Sequence, residues 1–400
     1  MEKITHSFEA GRRGKPDELE SIIATEIGAT LLEFSKDARF DLRVCGGYNA
    51  SKGRYTLRVS GEMSHHLLQQ DEAYRSIRKA AVLSINRNNL LNLKEGELLM
   101  EYGLKPQSGA LATNGAAGDS GNPIAVAVAN APLFLPWERY LAVHLRNIFD
   151  CIYHQNGKVP EDIASNSGVV HLPGLRSDGK IGVNASYYGG TINSIDKVTL
   201  AIEHEASLHV DELRDKAAKV ALSEIACLGR KHNLYDAPTW TPEIIVNGRG
   251  AWNEGGWKVD EGSREAKPYR DGFSTHGCNE DSFSGEDPTK VSATGSFIAR
   301  QIAVSIIRNG WAGYARVALD YTIGRDEVGL NISTAGTLSE GMAQEFIEAQ
   351  VQNNIPLKIN DGITRFNLRN LHIYHNIAQT ADFFHNSQFP WNRAIHMRIQ

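Results

Sequence analysis

Apolar residues recur along this chain in two rhythms, and the rhythms divide it into helices and strands. Leu19, Ile22, Ile23, Ile27 and Leu31 repeat at helical spacing behind Pro16, which suits a first helical turn, and Asp17, Glu18 and Glu20 complement the positive helix end. Phe297, Ile298, Ile302 and Ile306 predict a second long helix over 292–308, closed by Asn309 and Gly310. Further helices are predicted over 136–149, 210–225 and 342–350. Alternation of Tyr55, Leu57 and Val59 predicts a strand over 55–63, pairing as a hairpin with 40–44 across the glycine-rich turn between them. Strands are also expected over 181–185, 198–202 and 315–323, while 68–100 reads as mixed helix and strand. Strands and helices alternating along most of the chain indicate an α+β or mixed-sheet architecture.

Between these elements lie segments too polar for a core. Residues 276–291 crowd glycine, acids and a lysine before the 292–308 helix, so they read as a loop: either a surface turn or one that presents N–H groups and Lys290 to an anion. In 11–18, Arg12, Arg13 and Lys15 precede a helix start, as a phosphate cradle or as a solvated basic turn. Residues 107–123, rich in Gly and Ala around Asp119, lack a P-loop ending and form a linker or a loop that closes over a ligand. Asp178 and Lys180, one residue apart, would share a face if their segment is a strand. Glu62 closes the 55–63 strand, an acid that matters only if other site residues converge there. His204 and His209 do not have zinc spacing and read as ordinary surface or strand-end histidines.

Composition narrows the class. The 400 residues, 41% apolar and 22% charged, suffice for two or three units of ordinary domain size. No apolar run approaches the roughly 20 residues needed to span a bilayer. A net charge of −5 gives no reason to expect nucleic acid as the main partner. Four cysteines without paired spacing and a first stretch unlike a signal peptide lead us to expect a cytoplasmic protein.

Taken in order, several motifs resemble those of the S-adenosylmethionine synthetase (methionine adenosyltransferase) family. Phe283-Ser-Gly-Glu-Asp-Pro-Thr-Lys-Val291 is similar to its Phe-Ser-Gly-Lys-Asp-Pro-Ser/Thr-Lys-Val. Gly14-Lys-Pro-Asp-Glu18 resembles Gly-His-Pro-Asp-Lys, Gly61-Glu62 the methionine-site Gly-Glu, and Gly118-Asp119-Ser120-Gly121 the Gly-Asp-Gln-Gly stretch. Leu175-Arg-Ser-Asp-Gly-Lys180, Gly255-Gly256 through Asp260, Tyr321-Thr-Ile-Gly324 and Phe389-Pro390-Trp391 continue the series.

The resemblance implies three similar α/β-sandwich units around a pseudo-threefold axis, assembled as 1–12 with 132–245, 13–108 with 246–295, and 109–131 with 296–400. It implies a homodimer, or a tetramer built from it, with active sites at the interface, and methionine and ATP as substrates with Mg²⁺. Carried over one residue at a time, Asp17 would bind Mg²⁺, while Glu62 and Asp260 would hold the methionine ammonium. Gln107, Ile323 and Lys290 would complete the methionine pocket. Asp119 would support the adenosine pocket and Trp252 would stack there, with Ser284 also on the ATP side. Asp178, Lys180, Lys267 and the nearby Arg264 would hold ribose and phosphates. Lys15, Asp178, Lys180, Lys267 and Lys290 form the expected catalytic set.

Departures cluster at the phosphate end. Lys15 replaces the motif histidine, Glu18 and Glu286 replace motif lysines, and Ala266 replaces an arginine. Ser292 stands for a second metal-binding aspartate, and Arg43 for the glutamate that would bind K⁺, so a tethered cation is expected in place of potassium. Two readings follow. In one, the chain still makes S-adenosylmethionine: Arg12, Arg13 and Lys15 neutralise the triphosphate, and Glu18 or Glu286 supplies the missing metal ligand. In the other, it is a binding or regulatory subunit, or uses another nucleotide or amino acid.

Overall fold

The computed structural model describes residues 3–107, 117–232, 234, 240–260, 268–277 and 281–397. Its strands are β1 (Lys3–Gly11), β2 (Phe40–Asn49), β3 (Arg54–Met63), β4 (Leu99–Pro106), β5 (Ile124–Val128), β6 (Leu175–Tyr188), β7 (Thr191–His204), β8 (Glu243–Val246), β9 (Tyr314–Tyr321) and β10 (Val328–Ser333). The helices are α1 (Pro16–Phe34), α2 (His65–Leu68), α3 (Asp71–Asn89), α4 (Trp137–His154), α5 (Glu161–Ser167), α6 (Val210–Lys231), α7 (Pro268–Asp271), α8 (Val291–Arg308), α9 (Gln344–Asn354), α10 (Ile359–Phe366) and α11 (Leu371–Thr380).

These strands form three sheets, ordered β1-β6-β7-β8, β2-β3-β4 and β10-β9-β5. Each sheet carries one long, largely buried helix: α4 on β1 and β6, α1 on β2, and α8 on β5 and β9. Sheet partners come from distant segments, since β1 runs antiparallel to β6 and β5 to β9. The architecture is therefore α+β. β2 and β3 form the expected hairpin, and β4 adds to it in parallel after α3 returns the chain.

Apolar packing falls into two cores. One joins Leu19, Ile23, Phe40, Val59 and Ile77 around the second sheet, and the other runs from Phe8 and Leu141 through Ile302, Leu319 and Trp391. No helix among the described residues is long and apolar enough to cross a membrane.

α1 is buried on nearly all sides because α3, α11 and β2 cover it. Its acids Glu18, Glu20 and Glu26 are consequently inside, where each needs a partner. Glu20 accepts from Gly46 N at 2.8 Å, and Glu26 pairs with Arg87 and with His375 at 2.6 Å.

Candidate active site

The segment 283–290 is a loop, but a buried one. It lies along β2: Leu42 N donates to Gly285 O at 2.9 Å, and Asp287 N to Phe40 O at 3.0 Å. Gly285 is required there, because at φ 85° a side chain would put its Cβ 2.3 Å from Leu42 O. Asp287, fully buried, accepts from Phe40 N at 2.9 Å and Thr289 N at 2.8 Å, and Arg39 pairs with it at 3.2 Å. This anchor fixes the last turn of the loop, and Lys290 enters α8 at its N-cap position.

Between this loop, α1 and the open face of β2 and β3 lies a cavity of about 500 Å³, lined in part by Asp41, Glu62, Asp119, Ser284, Glu286 and Lys290. Lys290 Nζ is 2.7 Å from Asp41 and 4.0 Å from Asp119. Burial alone would lower the Lys290 ammonium, yet its hydrogen bond to Asp41 and the charges of Asp41, Glu286 and Asp119 raise it above the ordinary value. Glu62 pairs with Lys105 at 3.5 Å. Glu286 accepts from the Ser292 hydroxyl at 2.7 and 2.5 Å, and burial pushes its carboxyl well above the usual range, with Asp41 and Asp281 adding to the rise. Ile323 N donates to Ser120 Oγ at 2.9 Å, which ties the 321–324 turn to the Asp119 segment. Gln107 follows β4 and its N–H donates to Met63 O at 3.1 Å, while both polar atoms of its buried side-chain amide lack a partner among the described residues.

A different arrangement surrounds the start of α1. Lys15 Nζ is 2.5 Å from Asp17, and the Asp17, Asp178 and Asp260 charges raise it against the lowering effect of burial. Gly14 passes so close to β6 that a Cβ would meet Ser177 at 2.3 Å. Asp178 is buried and accepts from Gly256 N at 2.7 Å and Gly179 N at 2.6 Å; its carboxyl is raised by burial, as is that of nearby Glu203. Trp252 is half-buried, with its indole N–H on Glu254 O at 2.6 Å. Behind it the strand-end His204 is buried, not at the surface, accepting from Trp252 N at 3.3 Å, whereas the exposed His209 caps α6.

Several expected groups occupy other places. Arg12 is wholly buried: its Nε donates to Asp150 at 2.9 Å, and its other nitrogens bond the carbonyls of Arg176, Asp178 and Phe149. It pins β6 to α4 and offers no free face to an anion. Arg13 is 3.8 Å from Asp150 and bonds Gln379 O, and burial followed by the Arg146 charge lowers it to about 10. Glu18 sits between Arg146 at 3.3 Å and Arg270 at 3.4 Å, so each of its carboxylate oxygens already faces an arginine. Burial raises its carboxyl to about 7, with the two arginines opposing. Lys180 does not share the burial of Asp178: a register irregularity between Leu175 and Gly179 breaks the alternation, and Lys180 is half-exposed, 3.0 Å from Glu9. Arg264 and Lys267 lie outside the described residues.

The sequence reading missed Asp41, Arg270 and Asp271. Asp41 faces the cavity because the 40–63 hairpin turns its outer side there, which the alternation hints at. Nothing in the linear pattern marks Arg270, whose partner Glu18 is 252 positions away.

An α+β protein that gathers acids and a lysine around one cavity has the lining that suits a small, charged organic ligand. Residues 255–393 match the family model for the S-adenosylmethionine synthetase C-terminal domain. The chain is 28% identical over 281 residues to an S-adenosylmethionine synthase of Aquifex aeolicus, covering 69% of this chain and 68% of that protein. It is 28% identical to that of Desulforudis audaxviator, covering 69% and 65%, and 29% identical to that of Trichormus variabilis, covering 61% and 60%. The alignments thus span about two thirds of these relatives. These matches support a divergent member of the S-adenosylmethionine synthetase family.

Proposed function

We propose that this protein is a transferase that forms S-adenosylmethionine from ATP and methionine. A sulfur lone pair of methionine forms the bond to ribose C5′, the C5′–O bond breaks, and its electrons leave with triphosphate. The observation that carries this reading is the cavity itself. Glu62, Asp119, Ser284 and Lys290, placed on the methionine and ATP side from three separate motifs, line one space. Family names of the relatives, S-adenosylmethionine synthase, support the same reaction.

In this reading Glu62 and Asp260 receive the ammonium of methionine, Lys290 its carboxylate, and the Gln107 amide gains a partner when substrate enters. Lys15 and Asp178, with Lys180 and Lys267, orient ribose and phosphates. The leaving triphosphate carries about four negative charges, so fixed cations lower the barrier by lying where that charge grows.

Mg²⁺ fits the donors present. It prefers hard oxygen ligands and takes one or two carboxylates together with substrate phosphates. No cluster of three potential ligands occurs among the described residues, which agrees with a site the nucleotide completes. Asp17 and Glu286 would hold it, where it would neutralise phosphate oxygens. Of the two acids considered for the missing ligand, Glu286 lines the cavity and Glu18 is taken by arginines. Arg43, which also lines the cavity, stands in for K⁺. We further propose the three-unit pseudo-threefold arrangement, supported by three sheets each with its own long helix, and a homodimer with shared sites.

Incubating the purified protein with ATP, methionine and Mg²⁺ tests the reading. S-adenosylmethionine is expected without added K⁺, and none at any K⁺ concentration would overturn it.

A further inference from the structure

The guanidinium of Arg270 joins two parts of the site that the chain itself leaves unconnected. NH1 donates to Asp17 O at 3.2 Å and to Glu18 Oε2 at 3.4 Å, both at the start of α1. Nε and NH2 grip Asp271 Oδ1 at 2.9 and 2.7 Å, and NH2 also reaches Ser284 Oγ at 3.3 Å. Asp271 in turn accepts from the Ser282 hydroxyl and from Phe283 N at 2.9 Å, which fixes the entry to the 283–290 loop. All five donors of the planar fork are thereby engaged within the protein. The group is nearly buried, and the surrounding acids hold it above the ordinary arginine range against the effect of burial.

We propose that Arg270 is a positioning residue that sets the distance between Asp17, at the metal and phosphate end, and Ser284, on the cavity wall. This rests on the reading of the cavity as an ATP site. A donor already engaged five times does not bind phosphate; it holds in register the two segments that do. Charge alone would not suffice, because a lysine ammonium is a point that cannot span Asp17 O, Asp271 and Ser284 together.

Arg270→Lys separates fork from charge. A displacement of the order of 1 Å between the two segments is expected to reduce kcat/KM for ATP by about 100-fold, with the methionine KM within about twofold of wild type. Ser284→Ala removes only the loop-side contact and is expected to act in the same direction by about tenfold; it keeps the test open if the lysine variant does not fold. Calorimetric titration of the full-length protein with Mg·ATP, without methionine, reads the same loss independently of turnover. If wild type makes no S-adenosylmethionine, the reaction reading fails, while weaker ATP binding by the variants still upholds the positioning role. Unchanged ATP affinity in both variants, or equal loss for ATP and methionine, overturns it.

Discussion

The cavity beside β2 and the start of α1 use the same residue types in opposite ways. Around the cavity, charged groups line open space: Lys290, paired with Asp41 and near Asp119, shares the wall with Glu62, Arg43 and Glu286. Around α1, charged groups face each other, with Arg12 on Asp150 and Glu18 between Arg146 and Arg270. A buried charge without a partner is costly, so side chains that meet solvent-filled space imply a ligand, and side chains saturated within the protein imply scaffold. The three basic residues that looked alike in 11–18 divide along this line. Arg12 is scaffold, Arg13 is held by Asp150 and Gln379, and Lys15 stands with Asp17 beside Asp178 and Asp260.

The sharpest way to break this contrast is Arg12→Ala. As scaffold, Arg12 leaves Asp150 with only Arg13 and strips a buried donor from three carbonyls when removed, and a loss of about 3–5 kcal/mol is expected, read from urea unfolding. A variant that folds normally but binds ATP weakly would instead make Arg12 a phosphate group. Next comes Lys290→Ala. Removing a preorganised cation from the site is expected to lower kcat/KM for methionine by about 100-fold with little change in unfolding midpoint; a large stability loss would move Lys290 to the scaffold side.

These two residues also show how far the sequence could be read. The helices around Leu19 and Ile302 and the 40–63 hairpin were legible because burial on one face leaves a periodic trace. Lys290 was legible because its motif is long and local. Arg12 was misplaced because its partner Asp150 is 138 positions away, and it is the packing of α4 on β1 and β6 that brings the two together. The Asp178–Lys180 pairing failed for a local reason, the irregular register next to Gly179, which alternation cannot foresee.

Smaller effects sharpen the contrast further. Glu286→Gln keeps the shape and an acceptor for Ser292 but replaces a carboxylate with a neutral amide, a weaker ligand for a hard cation, so the Mg²⁺ concentration giving half-maximal rate is expected to rise about tenfold. Glu18→Gln, lodged between two arginines, should leave that concentration unchanged; a shift there instead would exchange the roles of the two acids.

The smallest expected effect is on acid stability. Burial first, then the His276 charge, lowers His6 from 6.5 to about 4, and burial lowers His385 to about 3. An unfolded chain would take up these protons below pH 6.5 while the fold resists. The stability they contribute is therefore complete above pH 6.5 and falls as pH drops towards 4 and below. His6→Gln should reduce the fall in melting temperature between pH 7 and 5 by about 2 °C, since half-exposure of the ring screens the effect; an unchanged pH profile would count against it.

If a methionine and adenosine side is joined to an altered triphosphate side, the fate of the triphosphate reveals it. Without the motif histidine, Lys15 has no imidazole to move protons in phosphate cleavage. Phosphorus NMR of a single-turnover reaction with ATP, methionine and Mg²⁺ should show intact triphosphate released in step with S-adenosylmethionine. Stoichiometric pyrophosphate and phosphate at the same rate would contradict the account.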